Sequence, residues 1–212
     1  MSFDAYVGDR TIAVVGPAPL PYDQSAEIDA HDLVYRPAKS PIGGWYGERI
    51  DIAYLNGGVG RGILDPEYSS IRSVIDRATW WVYKARQGRQ YRPEGLERVA
   101  HRPDMVKNPN AVTGILWDLT HFHPASITVY GADLYAGGPE NAYTDGYDLR
   151  DVSEKARGVT LHRPTEQMRA HRAVHATGMT IGDDRYLAAI TMPDDQYQAV
   201  IDQWRQALEP LT

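Results

Sequence analysis

The chain has 212 residues, 42% hydrophobic and 24% charged, with a formal net charge of -6 and no cysteine. That length bounds it to one domain of ordinary size, or one domain with a small appendage. The missing thiols exclude disulfides, thiolate nucleophiles, iron–sulfur clusters and cysteine zinc sites. No run approaches eighteen consecutive apolar residues, so no transmembrane helix is expected. The opening MSFDAYVGDR lacks the apolar stretch of a secretory signal, and the expected compartment is the cytoplasm.

Taken in chain order, Thr11–Gly16 (TIAVVG) is a β-branched apolar run closed by Gly and Pro, which predicts a buried strand and a loop. Asp32–Arg36 and Ile50–Leu55 predict two more strands, separated by the Pro/Gly-rich stretch Pro37–Gly47, and Asn56-Gly57-Gly58 ends the second. From Pro66 to about Arg86 the apolar residues Ile71, Val74, Ile75, Ala78, Trp81 and Val82 recur at three- and four-residue spacing and predict one helix. Thr113–Phe122 predicts a helix and Ile127–Tyr130 a strand ending at Gly131. Ala132–Leu149, polar and rich in Gly and Tyr, has the length of an active-site loop. Pro164–Thr177 predicts a helix stopped by Gly178, and Asp194–Leu208 a helix whose first turn carries two carboxylates.

Strands alternating with helices predict the α/β class, with a single Rossmann-like domain over 1–212 whose mainly parallel sheet is flanked by helices. In such sheets ligands bind at the carboxyl ends of the strands. Those ends are Gly16-Pro17-Ala18, Arg36-Pro37, Asn56-Gly57-Gly58 and Gly131-Ala132-Asp133, all loop-forming. The first lacks the three glycines of a dinucleotide fingerprint, and no GxxxxGK[ST] occurs. Nicotinamide-dependent hydride transfer and phosphate-loop hydrolysis are therefore disfavoured.

Three segments in order carry a resemblance. Thr11 to Arg36 reads TIAVVGPAPLPYDQSAEIDAHDLVYR, Asn110 to Tyr135 reads NAVTGILWDLTHFHPASITVYGADLY, and His162–Glu166 reads HRPTE. Together they resemble the long, short and final His…Glu motifs of the sialyltransferases, the soluble bacterial kind more than the animal one. The resemblance implies a GT-A-variant-like fold and an inverting transfer from a nucleotide-sugar, CMP-linked in that family. Pro17 and Pro37 stand where the family usually carries the asparagines that handle nucleotide and phosphate, so the nucleotide stays open.

The residue chemistry fits that reading. Inverting transfer needs a base for the acceptor hydroxyl and stabilisation of the departing phosphate. His162 matches the family's catalytic histidine, and an imidazole titrating near ~6.5 suits the proton transfer. Glu166 would orient it or cap the following helix. Tyr143 and Tyr147 would donate hydroxyl hydrogen bonds to the leaving phosphate. Gly16, Pro17, Ala18, Arg36, Asn56, Thr113, Gly114, Asp133 and Tyr135 form the expected donor pocket, with helix-starting amides near Thr113 facing its anion. No D-x-D triplet occurs, and His121-Phe122-His123 reads as a surface pair rather than metal ligands, so no metal and no resident cofactor are expected.

Charge is unevenly spread. Residues 72–107 hold nine Lys/Arg against four acids, a window of +5 in a chain whose remaining residues total -11. Trp80, Trp81, Tyr83 and Tyr91 lie among those cations. This basic and aromatic segment, with Trp80, Lys84, Arg86 and Arg89 as acceptor contacts, suits a nucleic-acid partner such as a hydroxylated base in DNA. A glycan acceptor, or a nucleotide-binding module without catalysis, are the competing readings.

Overall fold

The computed structural model describes residues 1–56, 63, 65–66, 69–84, 96–101, 104, 106–138, 159 and 161–208. Seven parallel strands form one open sheet: β1 (Thr11–Val15), β2 (Leu33–Pro37), β3 (Ile52–Leu55), β4 (Trp80–Tyr83), β5 (Leu96–Val99), β6 (Ser126–Tyr130) and β7 (Thr180–Gly182), in the order β5-β4-β3-β2-β1-β6-β7. The helices are α1 (Phe3–Val7), α2 (Ser25–Asp29), α3 (Ser69–Ile75), α4 (Ala111–Leu119), α5 (Pro164–Ala176), α6 (Asp184–Thr191) and α7 (Asp194–Leu208). The α/β Rossmann-like class expected from the sequence is the one observed. Among the described residues, no helix is long and apolar enough to cross a membrane.

Parallel strands covered on both faces read as continuous apolar runs, and the alternation of their side chains builds a layer on each side. Ile12, Val14, Leu33, Tyr35, Ile52, Tyr54, Ile127 and Val129 join α1, α4, α5, α6 and α7 in the larger core. On the other face Ala13, Val15 and Val34 pack with Ile28 of α2, while Ala53, Leu55 and Trp81 pack with Ile75 of α3.

One expected element is replaced. Residues 66–86 do not form a single helix: α3 ends at Ile75, and Trp80–Tyr83 is strand β4, aligned with Ile52–Leu55. Trp80 and Val82 enter one core while Trp81 and Tyr83 enter the other, a two-residue alternation that the helical spacing of the preceding segment had masked. The sheet interior also overrides helix propensity for this aromatic, β-branched run. Strands β5 and β7 and helices α1, α2 and α6 were not anticipated. They are short, and β5 is a half-exposed edge with no alternation to betray it.

Candidate active site

The order of strands reverses between β1 and β6, the point where ligands bind in open parallel sheets. The chain leaves β1 toward β2 on one side and returns through β6 on the other. A cleft open to solvent lies over these carboxyl ends. Its lining comes from Pro17 and Ala18 after β1, Pro37, Ala38 and Lys39 at the end of β2, and Asn56 after β3. Asn110, Ala111 and Val112 at the start of α4, residues 131–135 after β6, and His162 complete it.

The floor is bare backbone. Gly16 N–H donates to Tyr130 O at 2.8 Å and Ala18 N–H to Gly131 O at 2.8 Å. A Cβ on Gly131 would lie 2.8 Å from Gly16 O and 2.9 Å from Ala18 O, and Gly131 adopts φ +57, so glycine is required there. This close joint brings two loops together and leaves room above them.

His162 reaches the cleft from the segment before α5. Its Nδ1 lies 2.9 Å from the carbonyl oxygen of Asn108. A carbonyl can only accept, so Nδ1 carries the proton and Nε2 is the unprotonated nitrogen of the neutral ring. Nε2 has no partner among the described residues. Burial, with the cation of Lys84 adding to it, holds this imidazole below the usual histidine range against the opposing effect of the Asn108 bond. A neutral, singly oriented imidazole is what proton abstraction at neutral pH requires.

Several expected site residues have other duties. Glu166 does not orient His162: its carboxylate accepts from Arg163 Nη1 at 2.7 Å and faces the Lys107 amide in the first turn of α5. The orienting group is the Asn108 carbonyl instead. Arg36 is not in the cleft. It is completely buried, and its guanidinium donates to the carbonyls of Arg49 (2.7 Å), Pro41 (2.8 Å), Tyr46 and Gly47, fastening the loop after β2. Desolvation lowers this arginine to about 10.

Thr113 and Gly114 also lie behind the cleft rather than in it. Thr113 Oγ1 bonds Gln167 and His171 of α5, and a Cβ on Gly114 would sit 2.5 Å from the Tyr54 hydroxyl, so Gly114 is there for helix-to-sheet packing. Asp133 lines the cleft as a satisfied turn carboxylate: it accepts the Tyr135 amide at 3.0 Å and pairs with Arg185 at 2.6 Å. Tyr135 lines it as well, its ring edge-on to Trp204.

The acceptor segment is corrected in part. Trp80 is buried, with its ring edge-on to Phe3, so it offers no stacking surface. Lys84 is half-buried and donates to Asn108 Oδ1 (3.1 Å) and Pro109 O (2.8 Å), which places it behind His162. Arg86, Arg89, Tyr143 and Tyr147 lie outside the described residues.

Sequence reasoning missed Lys39, Asn110, Ala111, Val112 and Leu134 in the lining, and Asn108 and Gln167 behind it. Asn110 had a legible signal, since Asn followed three residues later by Thr113 suits a helix cap; its Oδ1 accepts the Thr113 amide at 2.8 Å. The amides of Ala111 and Val112 then open α4 without a capping acceptor among the described residues, and both residues line the cleft. Lys39 gave no pattern to read.

The fold has a parallel among solved structures. The chain shares the fold of a mammalian sialyltransferase. That structure, in complex with Gal-beta-1-3GalNAc-ortho-nitrophenol, matches with a TM-score of 0.50 at 12% identity, covering 85% of this chain and 71% of the sialyltransferase. At that identity the likeness concerns the fold alone. No protein-family model matches the sequence, and no curated protein does either.

Proposed function

We propose that the protein is an inverting, metal-independent glycosyltransferase that moves a sugar from a nucleotide-sugar to an acceptor hydroxyl. The observation that carries this reading is His162, neutral, with Nδ1 committed to a carbonyl and Nε2 left over at the cleft. In the proposed step, Nε2 takes the proton of the acceptor hydroxyl and the oxygen attacks the anomeric carbon. The bond from that carbon to the phosphate oxygen breaks, and its electron pair leaves with the phosphate. The Ala111 and Val112 amides at the head of α4, together with the Lys39 ammonium, supply positive potential for that departing charge. Tyr143 and Tyr147 would add hydroxyl donors. Pro17, Ala18, Asn56, Asp133 and Tyr135 would shape the donor pocket, and the nucleotide stays open because prolines replace the family's asparagines.

A thermal-shift screen of nucleotides and nucleotide-sugars tests the donor half. A ligand present at a hundred times its Kd adds about 2.7 kcal/mol, roughly 5–10 °C for a chain of this size. Turnover of the best donor should vanish in His162→Ala while donor binding persists, whereas wild-type turnover in that variant would refute the base.

The charge segregation favours a second acceptor reading, a hydroxylated base in DNA. Four of its cations have internal duties: Arg72 pairs with Asp76, Arg77 donates to Glu48 O, Lys84 serves Asn108 and Arg98 pairs with Asp118. The DNA reading therefore rests on Arg86, Arg89 and their neighbours. DNA binding that weakens steeply with salt, and less steeply once Arg86 and Arg89 are neutralised, would support it. A salt-insensitive reaction on an oligosaccharide would select the glycan.

A further inference from the structure

We propose that Gln167, which does not line the cleft, is the positioning residue that fixes His162 relative to the head of α4. The inference rests on the reading of His162 as the base.

Gln167 is fully buried in the first turn of α5. Its Oε1 accepts the Asn110 amide at 3.0 Å and the Thr113 hydroxyl at 2.6 Å, both from the start of α4. Its Nε2 donates to the backbone carbonyl of His162. One side-chain amide thus joins the two walls of the cleft, the helix terminus proposed for the phosphate and the residue proposed as the base. The amide's orientation is not arbitrary, because a backbone N–H can only donate and a backbone C=O can only accept.

The same reasoning fixes the protons beyond it. Thr113 uses its hydrogen on Gln167, so it accepts from His171 Nε2 at 2.8 Å, and His171 Nδ1 is left to accept the Tyr186 hydroxyl at 3.2 Å. The Gln167 bond also spans Arg163, a non-glycine residue at φ +48. Left-handed backbone is strained for such a residue and persists only where neighbours hold it. His162 is thereby held twice, at its ring by Asn108 and at its backbone by Gln167. Losing the second hold lets the strained Arg163 relax and swings the imidazole toward water.

Among the described residues, the charged groups facing His162 are Lys84 from the end of β4 and, across the cleft, Lys39 and Asp133; Arg163 and Glu166 on its own element pair with each other. None is altered by a change at Gln167, so a shift in His162's titration reports its position.

The test is histidine NMR on the full chain, with His162 assigned through His162→Ala, in wild type, Gln167→Leu and Thr113→Val. Wild type should show the Nδ1–H tautomer and a midpoint below the ordinary histidine value. In Gln167→Leu the midpoint should rise toward ~6.5 and the tautomer preference should weaken. Thr113→Val frees only one of the amide's partners and should move both in the same direction by less. Should Gln167→Leu fail to fold, Thr113→Val decides. With a donor in hand, kcat should fall on the order of 100-fold while the donor's KM changes little. A folded variant whose His162 midpoint, tautomer and kcat match wild type overturns the proposal. Full turnover in His162→Ala would instead overturn the base assignment itself.

Discussion

His171 makes the protein acid-labile by an amount that follows from its surroundings. It is enclosed between α5, Thr113 and Tyr186, and burial pushes its imidazole down to about 3. In the unfolded chain the same group titrates near ~6.5. Below that value the unfolded state binds a proton that the folded state refuses, so stability is full above it and falls as the pH drops toward 3. At pH 5 the unfolded group is protonated about thirtyfold over and the folded one is still neutral, a loss of about 2 kcal/mol relative to pH 8. His162 acts in the same direction. Asp183, whose carboxyl burial pushes up, acts in the opposite one. The difference between wild type and His171→Leu isolates the single residue. Urea unfolding at pH 8 and pH 5 should show wild type losing about 2 kcal/mol more than the variant. The variant should start roughly 1–2 kcal/mol less stable at pH 8, because the Tyr186 hydroxyl loses its acceptor. An identical loss in both proteins would mean that His171 is protonated in the folded state, and the ordering of protons along Thr113 and Gln167 would fall with it.

Arg36→Met should cost about 3–5 kcal/mol in the same assay, since it strips the donors from loop carbonyls that are only partly wetted; a loss of nucleotide binding with unchanged stability would return Arg36 to the cleft. Gly131→Ala should lower the melting temperature by roughly 5–10 °C through its left-handed backbone and the crowding against Gly16 and Ala18, as read by calorimetry. Lys39→Ala should weaken nucleotide-sugar binding in the thermal-shift screen about tenfold or less without changing the melting temperature of the free protein, because the side chain is exposed and makes no hydrogen bond or ion pair among the described residues.

The sheet was legible where apolar runs end in Gly, Pro or Asn, which is why β1, β2, β3 and β6 and the cleft at their ends could be placed from sequence. The cleft residues Pro17, Ala18, Asn56, Asp133, Tyr135 and His162 follow from that rule together with the motif order. What failed has physical reasons. Trp80 and Trp81 alternate between two buried faces, so a pair of neighbouring aromatics looked amphipathic on a helix when each was core on a strand. Arg36, Thr113 and Gly114 stand at positions that suit a donor, but Arg36 and Thr113 are spent on internal hydrogen bonds and Gly114 on close packing against Tyr54, and a motif fixes a position without fixing its direction. Gln167 and the Asn108 carbonyl could not be read at all. The Asn108 carbonyl is 54 residues from His162 and acts through backbone alone, and Gln167 is 57 and 54 residues from its α4 partners Asn110 and Thr113.

Backbone strain among the described residues is concentrated at the cleft. Of the five non-glycine residues at positive φ among those described, Leu134 and Tyr135 line the cleft and Arg163 follows its histidine. Each conformation costs on the order of 1–2 kcal/mol and is held from outside. Tyr197 of α7 donates to Leu134 O at 2.7 Å and Trp204 to Tyr135 O at 3.0 Å, while Gln167 spans Arg163. Two elements therefore brace the same small volume against relaxation, which is the pattern expected where a ligand must be met by preset geometry. Strain alone would serve a binding module equally well. The proton order does not: a ring whose Nδ1 is committed to a carbonyl, in a site that keeps it neutral, offers an unprotonated Nε2 and no donor. Such a nitrogen accepts from a hydroxyl rather than giving a hydrogen bond to a phosphate, which is the state the proposed transfer needs.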